Sequence, residues 1–188
     1  MTEDTHSVLV VTKDSKLSQS IGAMLIPPLF ETEVLSDFNE ARRRVSERVY
    51  NIILVDYSEG EGADFATDAS ESLSTILLLT PPSLFEEVSY RVEGYGIITV
   101  TNPLDQFYFY NMIKAAIAVQ YKVQVLSSQT TKLKVKMEEI KLVNRAKMLL
   151  MQNMSMSEEE AHHYIEKDAM DHGLKKTTVA ENIIKTYG

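Results

Sequence analysis

From Asp105 to Asn153 the chain runs without a glycine or a proline. These two residues are the usual punctuation between elements, so a stretch that lacks both is constrained towards helix. Within it Val119, Val123, Leu126, Thr130, Leu133, Met137 and Ile140 fall at alternating steps of four and three. That spacing is a heptad seam of about three heptads, interrupted by one threonine. Two readings fit: a pair of helices broken at Ser127–Thr131, whose polar and β-branched residues disfavour helix, or one continuous helix. The expectation adopted is a continuous dimerisation helix over 119–141, with Val119, Val123, Leu126, Leu133, Met137 and Ile140 facing a second copy. An apolar seam left open to water invites a partner.

Upstream, short apolar runs alternate with helical patterns. Ser7–Val11, Asn51–Val55, Thr75–Leu79 and Ile97–Val100 are strand-sized and apolar throughout, and Glu31–Leu35 is a weaker strand. Strands without polar alternation have both faces covered, the mark of a parallel sheet between helices. Helical spacing is read at Ser15–Ile26, at Asn39–Val49 (Ala41, Val45 and Val49 in register), at Ser83–Val92, and from Leu104 onward. The fold class is therefore α/β, a doubly wound parallel sheet of five strands over 6–122. In such sheets function gathers beyond the carboxyl ends of the strands, here at Thr12, Lys13, Asp14, Asp56, Thr80 and Asn102.

Downstream, 132–188 reads as a small three-helix domain. Ser157 to Glu160 forms a capping box, Gly173 ends that helix, and Thr178 to Glu181 reads as a second capping box opening the last one. Residues Val179, Ile183 and Ile184 are expected to point inward.

The net charge of -8 is unevenly spread: residues 1–131 hold 9 Lys/Arg against 18 Asp/Glu, and 132–188 hold 10 against 9. The asymmetry hints that the second part meets a polyanion. With 0 cysteines, disulfides, thiolate metal sites and a cysteine nucleophile are excluded. The polar start at Met1 lacks the features of a signal peptide, and no run approaches the ~18 apolar residues that span a bilayer. A cytoplasmic protein with no membrane partner is expected.

Three segments, VNRAKMLLM over Val143–Met151, MSEEEAHHYIEKDAM over Met156–Met170 and VAENII over Val179–Ile184, resemble the ANTAR family of antiterminators. The chain keeps Ala146, Lys147, Ala161, Ala169, Met170, Val179 and Ala180 of the family pattern, and has Met148 where the family usually has glycine. The resemblance implies a dimer that binds a leader RNA bearing two short hairpins and so prevents a terminator from forming. Loops rather than paired stems are the readable parts of RNA. Basic or aromatic residues off the buried seam are the contact candidates: Arg145, Lys147, His162, His163, Tyr164, Lys167, Lys175 and Lys176. Lys and Arg neutralise phosphates, and His and Tyr stack on bases. His162 and His163 make no metal site, since neighbours on a helix point about 100° apart.

Residues 6–122 resemble a response-regulator receiver of two-component systems. Asp56 stands at the phosphoacceptor position, Thr80 at the hydroxyl position, and Pro103 at a proline whose peptide bond is usually cis. The departures are several. Thr12 and Lys13 replace the acidic pair that holds Mg²⁺, Asn102 replaces the lysine, and Thr99 replaces the aromatic switch residue. Mg²⁺ requires oxygen ligands, and without metal and lysine the charge of phosphoryl transfer stays uncompensated. The expectation is a pseudo-receiver, not phosphorylated on Asp56, with Asp56 paired to Lys13 and Asp14 displaced from the metal position.

Together these readings predict an RNA-binding antitermination regulator, with no enzymatic activity, no cofactor and no metal. The expected partners are leader RNA and a second copy, with a regulatory protein left open as a third. Alternatives are a DNA-binding response regulator and a protein-interaction module.

Overall fold

The computed structural model describes residues 5–188. The polar run Met1–Asp4, read above as lacking a leader signal, lies outside the described residues. The chain divides into two compact units, Met1–Val125 and Leu126–Gly188.

The first unit is a five-stranded parallel sheet of order β2-β1-β3-β4-β5. Its strands are β1 (His6–Val11), β2 (Phe30–Leu35), β3 (Ile52–Asp56), β4 (Thr75–Thr80) and β5 (Ile98–Thr101). Between them run α1 (Ser15–Met24), α2 (Phe38–Glu47), α3 (Glu61–Ala69) and α4 (Phe85–Val92), and α5 (Gln106–Met154) follows. Alternate residues of each strand serve opposite faces, as the pleat requires. Leu9, Val11, Ile53, Val55 and Leu78 pack with Phe38 and Ala41 of α2, Phe65 and Ala66 of α3, and Val88 of α4. Val8, Val10, Ile52, Leu54 and Leu77 pack with Leu17 and Ile21 of α1 and Phe109, Ile113 and Ala116 of α5. Both faces being covered explains why the strands read as unbroken apolar runs.

Helix α3 is absent from the sequence reading. Its inward residues are Gly62, Ala63, Phe65, Ala66 and Ala69, mostly too small to mark an apolar stripe. Gly62 is required there: a Cβ would stand 1.9 Å from the Asp56 carbonyl oxygen. Three further expectations are corrected. Helix α1 stops at Met24, with Pro27 and Pro28 beyond it. Val49 lies past the end of α2 and is exposed rather than in register. Helix α5 opens at Gln106, not Leu104, where the Asp105 carboxylate accepts the Tyr108 amide at 2.8 Å.

Helix α5 is continuous through Ser127–Thr131. The Thr130 and Thr131 hydroxyls donate to the Leu126 and Ser127 carbonyls at 2.9 and 3.0 Å. Polar side chains that return to the preceding turn in this way are compatible with helix. Val119, Leu126, Leu133, Met137 and Ile140 are exposed and Val123 is half-buried.

In the second unit the end of α5 packs with α6 (Glu158–His172) and α7 (Lys176–Tyr187). The core holds Ala146, Leu150, Ala161, Ile165, Ala169, Val179, Ala180 and Ile183, with Ile184 at its edge. Four alanines among eight core residues let the helix backbones approach closely. The Ser157 capping box forms as read: Ser157 Oγ accepts the Glu160 amide, and Glu160 accepts the Ser157 amide at 2.8 Å. The Ser157 bonds hold the Glu160 carboxyl below its ordinary range. Gly173 takes the left-handed conformation, φ 63°, that ends α6. The second capping box does not form. Helix α7 begins at Lys176, capped at Lys175 without a side-chain bond, so Thr178 already lies inside the first turn. There its own amide bonds the Lys175 carbonyl.

Candidate functional site

In the first unit the residues expected at the strand ends do gather, but with a different set of bonds. Asp56 is half-buried at the end of β3. Its Oδ2 accepts from Ser58 Oγ at 2.9 Å and from Thr12 Oγ1 at 3.3 Å. Ser58 and Glu59 hold positive φ angles of 44° and 58°, a strained backbone that turns the Ser58 hydroxyl back onto Asp56. Thr80 is fully buried, and its hydroxyl has no partner among the described residues. The Asn102 amide bonds the Thr80 carbonyl at 2.9 Å, and the Asn102–Pro103 peptide is cis, as the resemblance implied.

The expected pairing of Lys13 with Asp56 is not found. Both residues lie past the end of β1, with Lys13 in a bend. Thr12 turns to Asp56, and Lys13 turns away to Glu61 at 2.6 Å, with its ammonium 5.4 Å from the Phe38 ring centre. The Glu61 bond holds the Lys13 ammonium above its ordinary range. Asp14 is committed elsewhere: its carboxylate caps α1, accepting the Lys16 and Leu17 amides at 2.8 and 3.3 Å. Asp56 is thus left as a single carboxylate among hydroxyls, and among the described residues no cluster of three His, Cys, Asp or Glu side chains could hold a metal. Mg²⁺ is usually held through one or two carboxylates with waters completing its shell, and here Asp56 supplies a carboxylate whose Oδ2 already accepts from the Thr12 and Ser58 hydroxyls.

In the second unit the basic candidates sort into two places. Lys147, His162 and Lys176 line a concavity of about 440 Å³ together with Lys136, Glu139, Asn144 and Thr177, over an apolar floor of Ile140 and Val143. His163, Tyr164 and Lys167 line a second one of about 380 Å³ with Met154, Met156 and Glu160. The division follows from the helix: His162 and His163 are neighbours on α6 and point to different sides. Arg145 and Lys175 are exposed and line neither. Tyr164 is exposed at the surface, not in the core. Met148, at the usual glycine position, points outward at 58% exposure.

The first concavity is not a set of free cations. Lys147, expected as a surface lysine, has a side chain only 14% exposed, and its Nζ meets Glu158 at 2.8 Å. Lys176 is bonded to Glu166, which also lies 3.3 Å from His162 Nε2. Both carboxyls sit below their ordinary range, Glu158 chiefly through its bond to Lys147 and Glu166 through its bond to Lys176. Lys136 has no carboxylate within ion-pair distance among the described residues. Lys136, Asn144 and Thr177 were missed by sequence reading. Lys136 had a signal: it precedes Lys147 by 11 residues, three helical turns, on the same face.

Comparison with known proteins bears on both units. Residues 131–184 match the ANTAR domain model. Transcriptional regulatory protein PdtaR of Mycobacterium tuberculosis is 24% identical over 185 residues, covering 96% of this chain and 90% of the relative. Among solved structures, a CheY-like response regulator receiver domain protein from Methanospirillum hungatei JF-1 superposes with TM-score 0.57 at 18% identity, over 63% of this chain and 98% of that one. The signal receiver domain of an HD domain-containing protein from Pseudomonas fluorescens Pf-5 gives 0.58 at 17%, over 66% and 94%. The first unit therefore has the receiver fold, and the second carries an ANTAR domain.

Proposed function

We propose that this chain, a regulator of the ANTAR type with a receiver-fold domain in front, is an RNA-binding antiterminator. It acts as a dimer on the hairpins of a leader RNA. The observation that carries the reading is the concavity where Lys136, Lys147, His162 and Lys176 converge over an apolar floor within the ANTAR domain. Ammonium groups spaced along a groove follow a phosphate backbone, and an apolar floor accepts an unstacked base. The second concavity, with Tyr164, His163 and Lys167, offers a further stacking surface. Net charge contributes little attraction, since 132–188 carries 10 basic against 9 acidic residues. Affinity then depends on a few placed residues and on two heads engaging two hairpins, which raises effective concentration. The exposed seam residues Val119, Leu126, Leu133 and Met137 support the dimer.

In the same reading the receiver-fold domain is a pseudo-receiver that regulates without phosphoryl transfer, and the protein is not an enzyme. Asp56 faces hydroxyls, and among the described residues no lysine pairs with it.

Crosslinking of the full chain in cells, followed by sequencing of bound RNA, tests the reading. The expected result is enrichment of leader RNAs with paired short hairpins, and in gel shifts duplex DNA fails to compete. Recovery of no RNA, or equal competition by duplex DNA, overturns it. A monomer at micromolar concentration in sedimentation overturns the dimer.

A further inference from the structure

At the end of the sheet opposite Asp56, where β1 and β3 begin, the first unit holds a concavity of about 600 Å³ that the reading above does not use. Its lining includes His6 and Asn51 from the strand starts and Lys114, Ile117, Gln120 and Tyr121 from α5. Gln120 is the unusual member. It is 3% exposed, and among the described residues neither its amide nitrogen nor its amide oxygen has a hydrogen-bond partner. Buried polar groups are almost always paired, and an unpaired one costs stability. The buried threonines Thr75, Thr80 and Thr99 also carry unpaired hydroxyls, but each leaves one small rotatable group unmet. A carboxamide leaves both a fixed donor face and a fixed acceptor face. A methionine at position 120 would fill similar volume without that cost, so packing alone does not explain the amide.

We propose that this concavity is a nucleotide site, in which the Gln120 amide pairs with the edge of the base. A glutamine amide presents donor and acceptor side by side, the complement of the paired groups on a base edge. The rest of the wall suits the other parts of such a ligand. Tyr121 is 71% exposed and offers a ring face for stacking, and Ile117 gives an apolar floor. The Lys114 ammonium now lies 5.6 Å from the Tyr110 ring centre, an interaction weak enough to yield to a phosphate, and His6 adds a second donor. The volume lies within the ~300–1,000 Å³ of ligand pockets. The amide has no accessible surface in the ligand-free structure, so the proposal requires that rotation about the outer bonds of the side chain present it to the ligand. The site lies wholly in the first unit and does not depend on RNA binding. It supplies the receiver-fold domain with an input other than phosphorylation.

The test uses the full chain with AMP, GMP and UMP as separate probes and inorganic phosphate as control, read by calorimetry and by thermal shift. At least one nucleotide is expected to bind at micromolar to low millimolar concentration and raise Tm, with phosphate inactive. Gln120→Met is expected to weaken that binding at least tenfold while its ligand-free Tm is unchanged or higher. Lys114→Ala and Tyr121→Ala, both at surface positions, are expected to weaken binding several-fold with folding intact, and they decide the matter should Gln120→Met fail to fold. The proposal is overturned if none of the three nucleotides binds, if phosphate alone gives the same response, if Gln120→Met binds as tightly, or if a folded Gln120→Met melts lower without ligand, which would show that the amide holds the fold.

Discussion

The pocket around Asp56 and the groove around Lys147 depart from readily available charge in opposite ways. The first sits in the receiver fold, and the nearby side chains divide: Thr12 stands beside the carboxylate, and Lys13 turns away to Glu61. The second keeps its cations but holds two of them against carboxylates of α6, Lys147 on Glu158 and Lys176 on Glu166. A site is therefore not measured by the charges its sequence contains. What counts is which charges the fold leaves facing the ligand, and what each must give up to meet it.

The largest expected effect breaks the comparison on the first side. Incubation with acetyl phosphate and Mg²⁺ should leave Asp56 unmodified by intact-protein mass spectrometry; stoichiometric phosphorylation would mean the pocket recruits a metal despite its residues. Next comes the core beneath the groove. Leu150→Ala should cost about 2–5 kcal/mol, read from urea unfolding of the helical signal, because a fully buried leucine leaves a cavity among alanines that cannot close it. A loss near zero would show that the small core does not hold the groove in place. Smaller, and of opposite signs, are the effects on RNA affinity. Lys136→Ala and Lys176→Ala should each lower the log–log salt slope of binding by about 0.7–0.9, one phosphate contact apiece. Glu166→Gln should tighten binding, since it releases Lys176 and His162. If Glu166→Gln weakens binding, the carboxylate positions the cations instead of occupying them. The smallest effect is at Lys13: both partners of its pair are exposed, so Lys13→Ala should leave Tm within experimental scatter and Asp56 unmodified.

The fold was largely legible because its strands bury both faces, and burial on both faces writes itself as unbroken apolar runs. Helix α3 escaped because Gly62, Ala63, Ala66 and Ala69 pack by being small, and small residues carry no periodic signal. The start of α7 was misplaced because Thr178 and Glu181 have capping-box spacing, whereas the helix had begun at Lys176. At the sites, residue identity was readable and direction was not. Thr12 and Lys13 are neighbours in sequence that serve different partners, and the turn of the chain just past β1 decides which one meets Asp56. The groove shows the same limit, since Lys136 joins Lys147 through helical phase, whereas Glu158 reaches Lys147 from another helix.

The back-bonded threonines of α5 have a consequence for how the protein can be taken apart. A tether between domains is where proteases enter, because cleavage needs a backbone that can open into an extended strand. Here the polar stretch Ser127–Thr131, which looks like such a tether, is helix, with the Thr130 and Thr131 hydroxyls returned to the carbonyls of the preceding turn. Limited digestion should therefore spare this stretch, read by the mass of the fragments; early cleavage within Ser127–Thr131 would show that the helix opens there.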